Sequence, residues 1–513
     1  MIALLIATGT GAGHSGTPPV SPATPAAAPA ARRIDVLLDR GVEALHAGLH
    51  ERAEAAFLEA ARLDPGDPEP HVLRALSLWW RILGDRQDRS FDPAFYTAVE
   101  AAIQAARVAA GGADAAGTPA PSAHHRAFVG MAHVLRFHIR GLRREFRDAA
   151  RDARDGHDLL EAAVAADPSN LDALFALGAY NYFADSLPAL ARGMRVLMRV
   201  PQGDLETGLA QLRRLAESRS RLALHARLLL VLIEASDGRR CYGRALDDLK
   251  TALALHPASP LVHATSGTVR LRLGFHDDAA HAFADALEGA AGPGEEAARL
   301  RRQITLRLAE TRIAAWRLQE AETLFDTIRR DGAFDPRETQ ALKRLEDEIA
   351  YRRGRNSGPA GGPAPAPGFG VRLDEALAAR GDPDPKNALK ALRSAAALEP
   401  AHPLPHLLTG ELLLAHGRHA EAVEALEAAV ARAEKAPTWV AGWAEIDRGV
   451  ALRALGRTRQ ARARFERASE TRRFRSADRG LYEIEAGLGS TARCGETDGR
   501  AGRISGRGSA GCG

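Results

Sequence analysis

The sequence predicts an all-α fold, a right-handed α-solenoid of antiparallel helix pairs arranged in two blocks. Three observations carry that expectation. Apolar residues return at helical spacing along most of the chain. Side chains of matched size recur at an offset of 34 positions, pairing Ala245 with Ala279, Leu249 with Phe283 and Ala252 with Ala286. The same offset joins Ala388 to Ala422, Leu392 to Leu426 and Ala395 to Ala429. Gly and Pro gather where the apolar stretches stop, as helix ends require. Composition agrees: 513 residues, 45% hydrophobic and 26% charged, can bury a substantial core. A mean hydropathy of −0.22, with no apolar run near the ~20 residues a span needs, excludes a polytopic membrane protein. Three cysteines exclude a disulfide framework and a multi-cysteine zinc module. The net charge of +4 is small, and only five of the 69 basic residues are Lys, which reads as coding bias toward Arg.

The N-terminal element, residues 1–30, opens with the apolar run Met1–Thr8 and passes into a Gly-rich stretch and a Pro/Ala spacer. Gly11, Gly13 and Gly16 match the spacing of a dinucleotide loop, but the following prolines remove amide donors and forbid the helix start that such a loop needs. An atypical export signal is the expected reading, giving a periplasmic or envelope protein, with a cytoplasmic chain as the alternative.

Residues 31–354 form the first helical block. Residues 34–67 carry Gly41, Gly48, Ala53, Phe57, Ala60 and Pro65 at the eighth, fifteenth, twentieth, twenty-fourth, twenty-seventh and thirty-second positions. Residues 260–293 place Gly267, Gly274, Ala279, Phe283 and Ala286 in the same register, without the proline. In the second block, 371–488, residues 403–436 repeat it with Gly410, Gly417, Ala422, Leu426 and Ala429, and 442–475 with Gly449, Gly456, Ala461, Phe465 and Ala468. This register resembles the tetratricopeptide repeat family. The resemblance implies a non-catalytic interaction scaffold in which small residues allow close helix packing and the large twenty-fourth side chain fills the gap toward the next repeat. Between 68 and 240 the register degrades while helical periodicity persists. There Gly178–Pro188 and Pro201–Leu209 resemble uncharacterised bacterial tetratricopeptide proteins and, loosely, the tetratricopeptide repeat 39 and inclusion-body clearance group. Residues 355–370 read as a Pro/Gly linker, and 489–513 as a disordered Gly/Arg-rich tail.

No catalytic residue, metal site or cofactor is expected. Lipase-type, zinc-protease and P-loop motifs are missing, and Asp185-Ser186 and His157-Asp158 are isolated pairs. His124, His125, His133 and His138 lie close in sequence, yet His133 and His138 are five apart, on diverging helix faces. Arg136 to Asp155 holds seven Arg and four acids three or four positions apart, which reads as a self-compensated solvated face and makes nucleic acid an unlikely partner. Trp79, Trp80, Tyr180 and Tyr182 fit either inter-repeat packing or a binding surface. The fifth and ninth first-helix positions (Leu38/Val42, Ala264/Thr268, Leu407/Glu411, Ile446/Val450) lack the Lys and Asn of a carboxylate clamp. The expected partner is therefore a protein or peptide segment held in an apolar or mixed concave groove. Its candidate lining is Leu404, Leu407, Glu411, Leu414, Trp443, Ile446, Val450 and Arg453, with outer-face residues such as Arg464 expected to be replaceable. The alternatives are a helical-repeat nucleic-acid binder and an accessory subunit of an envelope enzyme complex.

Overall fold

The computed structural model describes residues 27–84, 89–109, 122–185, 198–236, 241–290, 292–330, 334–358, 364–470, 476 and 478–487. The signal-like start up to residue 26 and the tail from 488 lie outside them. Every regular element among the described residues is helical. The chain opens with α1 (Ala27–His46), α2 (His50–Leu63), α3 (Glu69–Gly84), α4 (Asp92–Ala109), α5 (Ala123–Arg143) and α6 (Phe146–Ala166). It continues with α7 (Leu171–Asp185), α8 (Leu205–Ala216), α9 (Ala223–Glu234), α10 (Tyr242–Leu255), α11 (Pro260–Arg272) and α12 (His276–Gly289). Next come α13 (Glu295–Ala314), α14 (Leu318–Arg330), α15 (Pro336–Arg352), α16 (Phe369–Ala378) and α17 (Lys386–Leu398). The last are α18 (Leu404–Ala415), α19 (His419–Arg432), α20 (Thr438–Ala454), α21 (Thr458–Glu470) and α22 (Asp478–Gly487). Consecutive helices pack as pairs from α1/α2 to α13/α14, and again as α16/α17, α18/α19 and α20/α21. Helix α15 has no return helix of its own and leads directly toward α16.

The pairs are held by the residues that set the register. Ala53, Phe57, Ala60, Ala279, Phe283, Ala286, Ala422, Ala429, Ala461, Phe465 and Ala468 are all buried. Gly41, Gly267, Gly410 and Gly449 are buried with them, and Pro65 lies exposed just beyond the end of α2. The twenty-fourth side chain packs toward the next pair, Phe283 sharing an apolar cluster with Ile304 and Leu308 of α13, and it also faces its own partner helix. It lies over the eighth-position glycine of its own first helix: a Cβ on Gly41 would stand 2.3 Å from the Phe57 ring, and one on Gly449 2.4 Å from that of Phe465. The missing side chain opens a notch across the pair, and the ring fills it.

The expected linker is in part a packed joint. Tyr351 at the end of α15 and Phe369 at the start of α16 share one apolar core with Leu373, Leu392, Leu404 and Leu407. Arg353 spans it, donating to Glu322 on α14 and Asp374 on α16, both at 2.9 Å. Gly354, at φ +63°, leaves room for the Phe369 ring, which a Cβ would meet at 2.6 Å. A Pro/Gly composition excludes helix but not a tight, ordered turn. Residues 359–363 lie outside the described residues.

Helix pairs far apart in sequence touch, so the array curls closely on itself. The Ser259 hydroxyl donates to the His46 carbonyl at 2.7 Å across 213 residues, and Arg221 ties Asp35 and Asp39 of α1 to Glu69 of α3. Further along, the Ser476 hydroxyl donates to the Leu271 carbonyl at 2.9 Å, Asp478 pairs with Arg272, and Trp443 lies on Gly274.

Candidate interaction surface

The residues expected to line a groove lie on the first helices of two C-terminal pairs, α18 and α20. Spacings of three and four place Leu404, Leu407, Glu411 and Leu414 on one stripe of α18, and Trp443, Ile446, Val450 and Arg453 on one stripe of α20. Burial divides them. Leu404, Leu407 and Ile446 are fully buried between helices, whereas Glu411, Leu414, Trp443, Val450 and Arg453 are half-buried. None of the eight is an open surface residue. The apolar excess on these helices is thus consumed largely by packing.

The covering elements come from the preceding turn of the array. The Trp316 indole N–H donates to Glu411 Oε1 at 3.3 Å, and Arg380 donates to Oε2 at 2.7 Å. Trp316 sits at φ +62°, in the turn position occupied by glycine at 48, 274, 417 and 456. A bulky residue is strained there. Its indole is held between Arg352, whose guanidinium lies 4.5 Å from the ring centre, and Trp439, 5.9 Å away edge-on. Arg352 itself is buried, stacked 3.8 Å over Trp439 and bonded to Glu348. Trp443 packs against the Gly274 turn and meets the His276 ring at 5.2 Å. Burial, with Arg352 and Arg479 nearby, lowers the His276 imidazole to about 4, so it sits there neutral. Arg453 pairs with Glu483 of α22 at 2.5 Å.

Asp447, one turn from Trp443 on α20, is half-buried and makes no hydrogen bond or ion pair among the described residues. Burial drives its carboxyl well above the usual carboxylate range, the Glu411 carboxylate adds to this, and Arg380 and Arg479 pull the other way. Sequence reasoning passed over Asp447 because nothing local marks it; its character comes from helices packed around it.

The other candidates fall into structural places. Trp79 is buried and donates to His138 at 3.0 Å, and Tyr180 is buried with its hydroxyl on the Pro201 carbonyl at 2.8 Å; Trp80 and Tyr182 are half-buried beside them. His133 bonds Asp152 at 2.9 Å. The arginines of 136–155 do not form a solvated face throughout: Arg136 and Arg140 turn inward onto buried Asp152, and Arg143 onto Asp92, leaving Arg151 to pair with Asp148 at the surface. Arg464 is likewise not a free outer residue, since it stands 3.5 Å from the buried Glu445 carboxylate. His157 meets Asp158 at 3.7 Å, and Ser186 lies outside the described residues. No helix among the described residues is long and apolar enough to cross a membrane.

Comparison with known proteins gives one family match, to the tetratricopeptide repeat model over residues 373–437. That segment runs from within α16 to the end of the α18/α19 pair and does not reach the middle region. No curated protein sequence matches the chain. Among solved structures, yeast Tom70 aligns at 15% identity over 89% of this chain and 87% of its own, with a TM-score of 0.25. The P58(IPK) TPR domain aligns at 15% identity over 83% and 99%, at a TM-score of 0.20. The human IFIT1 dimer with m7Gppp-AAAA aligns at 13% identity over 85% and 90%, at 0.25. Scores this low carry no argument about how this chain is arranged or what it binds. The repeat register, the paired helices and the family match agree on one statement: residues 373–437 carry tetratricopeptide repeats within an all-α array of antiparallel helix pairs.

Proposed function

We propose that the chain is a non-catalytic scaffold that holds a peptide or protein segment along the inner face of its C-terminal repeats. The observation that carries this reading is Asp447. A half-buried carboxyl with no hydrogen-bond partner among the described residues, flanked on its own face by Trp443 and Val450 and near Glu411, is a hydrogen-bonding position that those residues leave open. A segment entering beside Leu414 and Val450 would supply the missing partner and bury the apolar surface these two still expose. The tetratricopeptide match over 373–437 supports an interaction role for this region.

The test places a photo-cross-linking residue at Val450 or at exposed Arg462 of α21 in the full chain, expressed in its native host. Cross-links to a discrete partner at 450 that fade in Asp447→Ala, with none at 462, support the reading. Equal labelling at both positions, or labelling indifferent to Asp447→Ala, overturns it. The N-terminal apolar run supports export as the place of action; fractionation that recovers the intact N-terminus from the cytosol overturns that part.

A further inference from the structure

The N-terminal ends of several helices converge on one rim of the array. The Asp64–Glu69 loop leads into α3 and is folded on itself, Asp64 accepting from the Gly66 amide and Asp67 from the Glu69 amide. Helix α5 begins against this loop: His125 Nε2 meets the Gly66 carbonyl at 3.2 Å, and His124 Nε2 meets Asp67 Oδ1 at 3.0 Å. The second residue of α7, Asp172, is held by the Ser220 hydroxyl at 3.0 Å and lies close enough to act electrostatically on both Glu69 and His124. Arg221 comes in from before α9 to Asp35, Asp39 and Glu69. Five carboxylates (Asp35, Asp39, Asp67, Glu69 and Asp172) thus surround one guanidinium and a histidine, a clear excess of negative charge.

Within this rim three donors from two distant segments come together. Asp67, Glu69 and His124 each direct one ligand atom into a space where all three lie within 4.8 Å of one another. His124 Nε2 stands 3.0 Å from Asp67 Oδ1 and 3.9 Å from Glu69 Oε2. Donors bound tetrahedrally to a zinc-sized ion at about 2.1 Å lie roughly 3.4 Å apart, a value that the 3.0 and 3.9 Å separations from His124 bracket. The Glu69 carboxylate supplies a separate indication. Its residue is 8% exposed, Oε1 is taken by Arg221, and Oε2, turned toward His124, has no hydrogen-bond donor among the described residues. A carboxylate oxygen that faces an imidazole nitrogen and a second carboxylate suits a coordination vertex. His124, by contrast, keeps 43% of its side chain exposed, which gives an ion a path in and leaves a position for water.

We propose that Asp67, Glu69 and His124 bind a divalent transition-metal ion of the zinc class, fastening the start of α5 to the loop before α3. The mixed oxygen and nitrogen set favours such an ion over magnesium or calcium, which take oxygen donors. Spacing within one helix could not reveal it, because His124 lies 57 residues from Asp67.

The experiment uses the full chain, free of any affinity tag, stripped with a chelator and titrated with Zn2+ in a calorimeter. One ion per chain is expected to bind, with a rise in melting temperature, and Co2+ is expected to give the visible absorption bands of a low-coordinate site. His124→Ala is expected to weaken Zn2+ binding by about tenfold or more and to abolish the melting shift, measured against the variant's own metal-free melt. Asp67→Asn keeps the acceptor for the Glu69 amide and is expected to weaken binding likewise, whereas exposed His281→Ala is expected to leave it unchanged. The proposal fails if the wild-type chain takes up no saturating Zn2+, or if both site variants bind as the wild type does.

Discussion

Removing the Phe283 ring tests the packing logic of the whole array at one place. The ring is 1% exposed and lies on Gly267, where a Cβ would stand 2.8 Å from Cε1 and Cζ and 2.9 Å from Cδ1. Phe283→Ala removes a buried aromatic and leaves a cavity in the α11/α12 pair, at a cost of about 3–5 kcal/mol. Gly267→Ala does the reverse: it drives a methyl into a ring with no free direction to move, costing about 1–3 kcal/mol. Each change in the double variant relieves the other, since the new methyl enters the space the ring has left. A favourable coupling of about 1 kcal/mol or more is expected. Urea unfolding followed by circular dichroism gives the energies, and amide exchange shows where they act. Protection should fall in α11 and α12 and hold in α19, because repeat arrays transmit stability mainly between neighbours. Exposed Asp278→Ala should cost no more than about 0.5 kcal/mol. Additive costs in the double variant, or equal small effects from Phe283→Ala and Asp278→Ala, would refute the reasoning.

Trp316→Gly relieves a left-handed turn by about 1 kcal/mol but loses the indole between Arg352, Trp439 and Glu411; a net loss of roughly 2–4 kcal/mol in urea unfolding is expected, and a stabilised variant would show that the contacts contribute little. Acid should destabilise the chain through His46 and His225, whose rings lie 5.3 Å apart. Burial lowers His46 from 6.5 to about 4 and His225 further, so the unfolded chain takes up their protons first and stability present above pH 6.5 is lost as pH falls. For His46 this is worth about 2 kcal/mol at pH 5, and His225→Leu should flatten the melting temperature against pH between 7 and 5; an unchanged profile counts against it. Proteolysis within 355–370 should yield two pieces that still co-elute, held by Tyr351, Phe369 and the Ser476–Leu271 bond; separation on gel filtration would mark two independent blocks.

The sequence by itself determined the helices and their pairing. Gly41, Phe57 and Ala60 announce a pair wherever they recur in register, because a notch and a knob must face each other within one short segment. The end of α2 was legible for the same reason, with Pro65 placed just beyond it. Only the tertiary structure decided what the inner face does. Leu407 and Ile446 carry the same pattern whether a partner or neighbouring helices cover them, and here helices bury them, while Trp443 and Glu411 meet Gly274 and Trp316 from far away in sequence. Asp447 and the Asp67–Glu69–His124 rim were hidden for a related reason. Local sequence fixes hydrogen-bonded turns and pairwise packing within tens of residues, whereas the curl of the array sums small rotations at every pair. Burial, charge and donor geometry between turns are set by that sum.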